Sequence, residues 1–265
     1  MHKRVVISGY CTLDHAIREG TSFTPRFGGA VLYAGRPLAD AGHLVTPLAR
    51  IGGDTEAMRC LAEAEKDGLD ISGFVRDPTA SMARCLMIYR DDDSCDCALE
   101  RQDGPLTAAQ RALAERADLL VIAAGAAEAS LQMLDAAPKH ALVAWVAKND
   151  ELCFPPPLRQ RLARRADVIF CSRAERPAID AARLRNRRGQ LLFETRGAAG
   201  GVVVESGGEH GFAAAPVDVA DATGAGDTFA GTALAALLAG SSPHRAATAG
   251  AEAARAFLLR RAADE

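Results

Sequence analysis

Short runs of β-branched and aliphatic residues alternate along the chain with longer runs rich in alanine, leucine and arginine. This alternation is typical of βαβ units, in which helices join parallel strands. Strands are predicted at Arg4–Ser8, Leu44–Ala49, Leu119–Ala123, Ala141–Val146, Val168–Cys171, Leu191–Thr195 and Gly201–Glu205. Helices are predicted between and after them, at Val31–Ala41, Thr55–Asp67, Ala108–Arg116, Ala129–Ala136, Pro157–Arg164, Ala225–Leu238 and Pro243–Leu259.

Two segments, at about 11–27 and 81–101, depart from this rhythm and read as strand pairs with no helix between them. The continuous apolar run of Leu119–Ala123 suits a strand that helices cover on both faces. We therefore predict an α/β fold, a doubly wound, mostly parallel sheet flanked by helices, with a small antiparallel β-sheet lid over its edge. The length of 265 residues suits one domain, 1–265, that carries this lid.

Charge and composition exclude several classes of partner. With 31 Lys+Arg against 34 Asp+Glu, the net charge of −3 leaves no basic surface for nucleic acid. No stretch reaches the roughly 18 uninterrupted apolar residues of a membrane span, and the start is too short for a signal peptide. The seven cysteines include no CxxC pair, so a cytoplasmic protein with reduced thiols is expected. Cys95 and Cys97 fit one face of a ribbon better than a metal site.

A glycine-rich turn stands immediately before an apolar helical run. It reads Asp-Ala-Thr-Gly-Ala-Gly-Asp-Thr-Phe over residues 221–229. Gly224 and Gly226 permit a tight turn whose N–H groups point into one concavity, where the dipole of the helix also favours an anion. Asp227, in the first helical turn, suits either a capping charge or a general base beside that anion. A plain glycine turn with an N-cap is the alternative.

The longer string Asp-x-Thr-Gly-Ala-Gly-Asp-x-Phe resembles the C-terminal signature of the PfkB (ribokinase-like) carbohydrate kinases. The resemblance implies a ribokinase-like fold and ATP-dependent phosphorylation of a hydroxyl group. It makes Asp227 the catalytic base, assigns Gly224, Ala225 and Gly226 to the anion hole, and adds Thr223 to the nucleotide-binding residues. A carboxylate beside a nest of amides suits phosphoryl transfer, which depends on positioning and charge stabilisation.

The first third of the chain supplies the candidates for substrate binding. Asp14 resembles the family's aspartate that binds substrate hydroxyls, although an aspartate after a strand is also a common turn residue. Gly28 and Gly29 resemble the family's di-glycine beside the substrate. Tyr33 stands where the family often has asparagine, and it suits either a lid on the substrate or a core aromatic. Arg101, at the border of the lid, is a further candidate for closing over the substrate.

The candidates for binding the nucleotide and its magnesium ion lie in two segments. Residues 172–175, Ser-Arg-Ala-Glu, resemble the family's Asn-x-x-Glu magnesium motif, with Ser172 in the place of asparagine. Without the family they read as a capping box. Because Mg²⁺ keeps several waters, one carboxylate acting through water is enough, which makes Glu175 the metal candidate. Thr195, Gly197 and Gly200 resemble the family's Thr-x-Gly-x-x-Gly segment that lines the nucleotide site, or form a plain hairpin turn.

Lys148 stands where the family commonly has an Asp-Pro-Asn-like segment. It suits either a contact to nucleotide phosphates or a solvated lysine at a strand end. The cofactors that the resemblance implies are ATP and Mg²⁺, and it leaves a monovalent cation open. A homodimer through the lid is expected, since a two-stranded ribbon is marginal alone.

The predicted function is transfer of the γ-phosphate of ATP to a hydroxyl of a sugar, sugar derivative or cyclitol. One alternative is a nucleoside kinase of the same fold, for which Phe23, Phe27 and Tyr33 could form an aromatic slot. The other is a non-catalytic, ligand-binding or regulatory protein. A Rossmann dehydrogenase is disfavoured, because its Gly-x-Gly-x-x-Gly would follow the first strand.

Overall fold

The computed structural model describes residues 2–90, 95–182 and 189–263, and among these residues nine strands form the main sheet. Numbered along the chain, its strands are β1 (Arg4–Ser8), β5 (Leu44–Ile51), β6 (Phe74–Arg76), β9 (Leu119–Ile122), β10 (Leu142–Val146), β11 (Val168–Ser172), β12 (Leu191–Thr195), β13 (Gly201–Glu205) and β14 (Gly208–Phe212). Their order is β14-β13-β12-β11-β10-β9-β1-β5-β6, and among these strands only the pairs β12–β13 and β13–β14 are antiparallel. The predicted mostly parallel sheet is confirmed.

Helices cover both faces of this sheet. They are α1 (Ala30–Tyr33), α2 (Gly35–Asp40), α3 (Thr55–Lys66), α4 (Ala108–Ala114), α5 (Ala127–Ala136), α6 (Pro156–Arg165), α7 (Arg176–Ala182), α8 (Ala225–Leu238) and α9 (Pro243–Ala263). Val5 and Ile7 belong to a buried cluster that includes α8 and α9, whereas Val6 packs with α5 and α6. Because successive residues of a strand face opposite sides, burial on both sides requires the continuous apolar runs seen in the sequence.

Three elements of the main sheet and its helices differ from the sequence-based expectation. Strand β6 was not predicted. The helix predicted at Val31–Ala41 is broken at Ala34 into α1 and α2. Pro37 explains the break, since it has no N–H for the carbonyl four residues earlier and its ring clashes there. Strand β14 was not predicted, because its sequence Gly-Glu-His-Gly-Phe is exposed and polar except for Phe212.

The lid is a separate small sheet built from both segments that depart from the helix–strand rhythm. Its strands are β2 (Thr12–Arg18), β3 (Thr21–Ser22), β4 (Arg26–Gly28), β7 (Arg84–Tyr89) and β8 (Cys95–Leu99), in the order β3-β2-β7-β8 with β4 also on β2. The expectation of an antiparallel lid was wrong for its central pair, since β2 and β7 run parallel. Strand β2 follows β1 and β7 follows β6, and β1 and β6 run in the same direction in the main sheet. Both lid strands therefore start from the same edge of that sheet and point the same way.

None of the described helices combines the length and the apolar character that a membrane crossing needs. That the whole chain, 1–265, folds as one domain stays a prediction.

Candidate active site

The glycine-rich turn lies at the start of α8. Gly224 has φ +84°, in the left-handed region that favours glycine, and a Cβ there would lie 2.8 Å from the ring of Tyr33. The amide of Ala225 donates to the carbonyl of Ala222 at 3.2 Å. Within the described part of the chain, the amides of Gly224, Gly226 and Asp227 have no such acceptor. Free amides at the N-terminus of a 14-residue helix are suited to hold an anion.

Asp227 stands in this first turn of α8 and remains partly exposed. Desolvation by the surrounding protein raises the pKa of its carboxyl group to about 6. The positive charge of Lys148 opposes that shift, whereas the negative charges of Asp14 and Glu175 add to it. A carboxylate whose pKa lies near neutrality is suited to accept a proton during catalysis.

Lys148 follows β10 with an exposed side chain, which agrees with the alternative of a solvated lysine at a strand end. Desolvation by the surrounding protein would lower the pKa of its ammonium group, but the charges of Glu175 and Asp227 raise this pKa overall. One cation and two carboxylates therefore influence one another at the carboxyl ends of β10 and β11. In parallel α/β sheets, this edge is where ligands bind. Nucleotide binding by Lys148 stays a prediction.

Glu175 and Ser172 form half of a capping box. The Ser172 amide donates to Glu175 Oε2 at 2.5 Å, just before α7 begins at Arg176. Among the described residues no group of three or more His, Cys, Asp or Glu side chains could enclose a metal ion. One carboxylate nevertheless fits Mg²⁺, which is commonly held by one or two carboxylates together with waters and substrate phosphates. The magnesium role of Glu175 stays a prediction, as does the monovalent cation.

The Thr195–Gly200 segment forms the connection of an antiparallel hairpin between β12 and β13. The amide of Arg196 donates to the carbonyl of Gly200 at 2.8 Å, so the alternative interpretation as a hairpin turn describes the backbone correctly. Thr195 is the register partner of Ser172 across β11 and β12. The fold thus brings together the two segments predicted to bind nucleotide, including Gly197. Their binding role stays a prediction.

Asp14, the predicted substrate ligand, is 3% exposed. Its carboxylate accepts hydrogen bonds from Thr12 Oγ1 at 2.6 Å and from the Tyr33 hydroxyl at 2.9 Å. Burial raises the pKa of Asp14, although these hydrogen bonds and one from the Gly29 amide lower it. A Cβ on Gly28 would collide with this carboxylate and with the Tyr33 hydroxyl, so only glycine fits there. Substrate binding by Asp14, Gly28 and Gly29 stays a prediction.

Tyr33 lies between this acceptor side and the glycine-rich turn. Its side chain is 3% exposed, and its ring packs edge-on against Phe257 with centroids 5.7 Å apart. Its ring approaches Gly224 while its hydroxyl reaches Asp14. Tyr33 is therefore a buried aromatic and at the same time part of the wall of the candidate site.

Arg101 is engaged at the base of the lid. It forms an ion pair with Asp150 at 2.7 Å, donates to Cys153 Sγ at 3.2 Å and lies over the ring of Tyr10. These contacts hold the end of β8 against the loop that follows Lys148. Substrate binding by Arg101 stays a prediction.

Arg261 is a residue of the site that the sequence did not indicate. It is 4% exposed, forms an ion pair with buried Asp221 and donates to the Thr223 carbonyl at 3.1 Å. It also approaches the Tyr33 hydroxyl at 3.4 Å. The helix was predicted to end at Leu259, and one arginine among several near the end of a helix gives no signal.

The lid touches the same turn through Thr223. The hydroxyls of Tyr89 and Thr223 lie 2.8 Å apart, and Thr223 Oγ1 also donates to Met87 Sδ at 3.0 Å. The side chain of Thr223, predicted to bind nucleotide, is thus held by β7. A movement of the lid would act directly on the backbone next to Gly224.

Comparison with known proteins agrees with this fold. The family model described as pfkB family carbohydrate kinase matches residues 4–265. No curated protein sequence matches the chain. A solved ribokinase from Cryptococcus neoformans var. grubii serotype A, in complex with ADP, is 17% identical with a TM-score of 0.81, over 98% of this chain and 96% of that one.

Two further solved structures are similar at comparable identity. The adenosine kinase from Sinorhizobium meliloti is 18% identical with a TM-score of 0.82, over 98% of this chain and 94% of that one. A PfkB protein from Polaromonas sp. JS666 is 21% identical with a TM-score of 0.72, over 97% and 99%. Likeness at these identities establishes the ribokinase-like fold.

Proposed function

Because the chain belongs to the pfkB family of carbohydrate kinases, we propose that it transfers the γ-phosphate of ATP to a hydroxyl group of a sugar, sugar derivative or cyclitol. Asp227 is the general base in this proposal and takes the proton of the attacking hydroxyl. The free amides of Gly224 and Gly226 stabilise negative charge on the transferring group. A cytoplasmic location, where ATP is supplied, goes with this proposal.

The observation that carries the proposal is the pairing of Asp227 with free backbone amides at one helix N-terminus. Its pKa of about 6 leaves the carboxylate ionised at neutral pH and still basic enough to accept a proton. Asp227 is the third residue of α8, and the N-cap is Gly224. Within the described residues, no hydrogen bond from a helix amide to the Asp227 carboxylate occurs, so this carboxylate does not act as a cap.

Lys148 and Glu175, whose charges influence the pKa of Asp227, bind the nucleotide in this proposal. The ammonium group of Lys148 contacts phosphate oxygens of the nucleotide, so its positive charge offsets their negative charge. Glu175, at the end of β11, holds Mg²⁺ through water. When bound, Mg²⁺ supplies neutralisation of the phosphate charge and alignment of the nucleotide.

The acceptor side favours a ligand rich in hydroxyl groups. Asp14 accepts hydrogen bonds from two hydroxyls, those of Thr12 and Tyr33, so its carboxylate already binds the kind of donor that a polyol carries. With Tyr33 displaced, an acceptor hydroxyl would replace the phenol. A nucleoside also presents ribose hydroxyls, so the same carboxylate would serve a nucleoside kinase.

A panel of sugars, cyclitols and nucleosides tests the proposal through release of ADP. The account expects stimulated ADP release with a sugar or a cyclitol and none without an acceptor. Stimulation by nucleosides alone would replace the sugar with the nucleoside alternative. Failure of every acceptor, together with retained ATP binding, would leave the non-catalytic alternative.

A further inference from the structure

A cavity of about 650 Å³ lies between lid strands β2 and β4, helix α3 and the last turns of α9. Tyr33 and Arg261 form part of its wall. Asp227, Lys148 and Glu175 do not line it. The cavity is thus separate from the candidate site of phosphoryl transfer, although it shares two residues with the wall of that site.

The lining of the cavity carries an excess of positive charge. Its ionisable residues are Arg26, Arg36, Arg59, Arg260, Arg261, Glu56 and Glu63. Both glutamates are already paired, Glu56 with Arg84 and Glu63 with Arg36, each at 2.9 Å. Arg36 is also paired with Asp67, and Arg261 is paired with Asp221. The attraction for anions therefore rests on the rim arginines Arg59 and Arg260, whose guanidinium groups stay charged at any physiological pH.

Several donors of this lining lack an anionic partner. In the described ranges of the chain, neither Arg59 nor Arg260 has a carboxylate at ion-pair distance, and both side chains are exposed at the rim. Buried Arg261 has an ion pair through Nη2, but its Nε has no hydrogen-bond acceptor among these residues. A buried donor without a partner in a cavity wall points to an acceptor that enters from outside the chain.

Aromatic side chains supply the apolar part of the same cavity. Phe27, Tyr33 and Phe257 line it, and the guanidinium of Arg59 lies 5.8 Å from the ring centre of Phe27. The volume is that of a small-molecule site, and its lining combines these three aromatic side chains with a larger number of charged groups.

We propose that this cavity binds a small organic phosphate, a sugar phosphate or a nucleoside monophosphate. Arg59 and Arg260 meet the phosphate at the rim, and the ring of the ligand packs against Phe27 and Phe257. The proposal goes beyond the function proposed above, because it concerns binding at a place that Asp227 does not reach.

A ligand in the cavity can affect the glycine-rich turn through Arg261. Arg261 holds the carbonyl of Thr223 and the carboxylate of Asp221, and it approaches the hydroxyl of Tyr33. A ligand that binds Arg261 therefore acts on the groups that position the start of α8 and cover Asp14.

Isothermal titration calorimetry tests the proposal with ribose 5-phosphate in one arm and adenosine 5′-monophosphate in the other. The double variant Arg59→Ala/Arg260→Ala removes both rim charges. The control is Arg255→Ala, an exposed arginine on α9 that does not line the cavity. Since each removed group makes a charge-assisted hydrogen bond, at least about tenfold weaker binding is expected in the double variant and unchanged binding in the control.

The outcome of each arm is decisive. Binding of one probe that the double variant weakens supports the site and identifies which phosphate it prefers. Equal affinity in wild type and double variant assigns the probe to the nucleotide or acceptor site and overturns the proposal. The absence of binding of either probe up to about 10 mM overturns it as well. If the double variant fails to unfold cooperatively, Arg260→Gln gives the same test at one exposed side chain.

Discussion

Asp227 is the proposed general base, so its protonation state should set the pH range of activity. Burial raises its pKa to about 6, while Lys148 favours the ionised form. A general base works only when it is deprotonated, so activity falls as the pH drops through this pKa. The pH at which activity falls should change only when the charges around the Asp227 carboxylate change.

We therefore expect kcat/KM to fall below a pH of about 6 in the wild type, and this limb to move to higher pH in Lys148→Met. Loss of the ammonium charge disfavours ionised Asp227, which raises its pKa. The measurement is a pH profile of ADP release, with Lys139→Met, an exposed lysine elsewhere, as the control. A limb that stays in place in Lys148→Met would contradict the electrostatic link between the two residues.

The Tyr33 hydroxyl occupies one oxygen of the Asp14 carboxylate, which is the proposed ligand of the acceptor hydroxyl. In Tyr33→Phe the buried carboxylate loses one donated hydrogen bond, so the free energy of unfolding should fall by about 1–3 kcal/mol. At the same time one carboxylate oxygen becomes available to the acceptor, so the acceptor KM should decrease. Urea unfolding and acceptor titrations measure the two effects.

Tyr89→Phe is the matched control for Tyr33→Phe. It removes another hydroxyl near the turn, one that contacts Thr223 and not Asp14. The account expects no decrease of the acceptor KM in this control. An unchanged acceptor KM in Tyr33→Phe, despite the lost stability, would argue against Asp14 as an acceptor ligand.

At the scale of elements, the last turn of α9 supports the loop that leads into α8. The ion pair of Arg261 and Asp221 is almost fully buried, with side chains 4% and 1% exposed. Removing one partner of such a pair leaves an uncompensated charge inside the protein, which typically costs about 3–5 kcal/mol. The loop before Gly224 depends on this pair, because both residues also hold Thr223.

We expect Arg261→Met to lower the free energy of unfolding by about 3–5 kcal/mol. Adding Asp221→Asn removes the stranded charge and keeps an oxygen for the Thr223 amide, so the double variant should regain part of the loss. Urea unfolding of the two single variants and the double variant gives the coupling. Additive losses would show that the pair does not act as a unit.

The sequence predicts seven of the nine strands of the main sheet, because their signals are local, and it misses the edge strands β6 and β14. Leu191–Thr195 and Gly201–Glu205 were predicted with the bounds that the structure has. The parallel pairing of β2 with β7 was not predicted, since it joins segments about seventy residues apart and depends on which sheet edge each strand leaves. The place of Arg261 depends likewise on a packing contact with Asp221 that no periodicity encodes.

In the candidate site, too, some residues could be predicted from the sequence and others could not. Asp227 and its glycines form one continuous motif, so the sequence alone could indicate them. The position of Tyr33 across Asp14 and Gly224 could not be foreseen, because it depends on how α1 meets the lid and the turn. The sequence left a core role and a substrate contact equally open for this residue, and the structure gives it a buried place in the wall.

In the whole molecule, β8 is an edge strand of the lid among the residues that the structure describes. The side chains of β8 are exposed except for Leu99, and Ile88 on the neighbouring β7 is 44% exposed. An unpaired strand edge with exposed apolar residues favours association with another strand. A second copy of the chain, pairing lid to lid, is the partner that we propose.

Light scattering should therefore give the mass of a homodimer, and Ile88→Asp should give a monomer because it places a charge in the contact. Leu152→Asp is the control, since Leu152 is 70% exposed but lies outside the lid. A wild-type mass of a single chain would contradict the dimer.

Phosphoryl transfer with Asp227 as the base is most directly tested by Asp227→Asn, which keeps the shape of the side chain and removes its ability to accept a proton. ADP release with the best acceptor and ATP binding by calorimetry are measured on the same preparations. We expect ADP release to fall by about 100–10,000-fold while ATP affinity and the unfolding midpoint stay close to wild type. Asp227→Asn that releases ADP at the wild-type rate would contradict this role of Asp227.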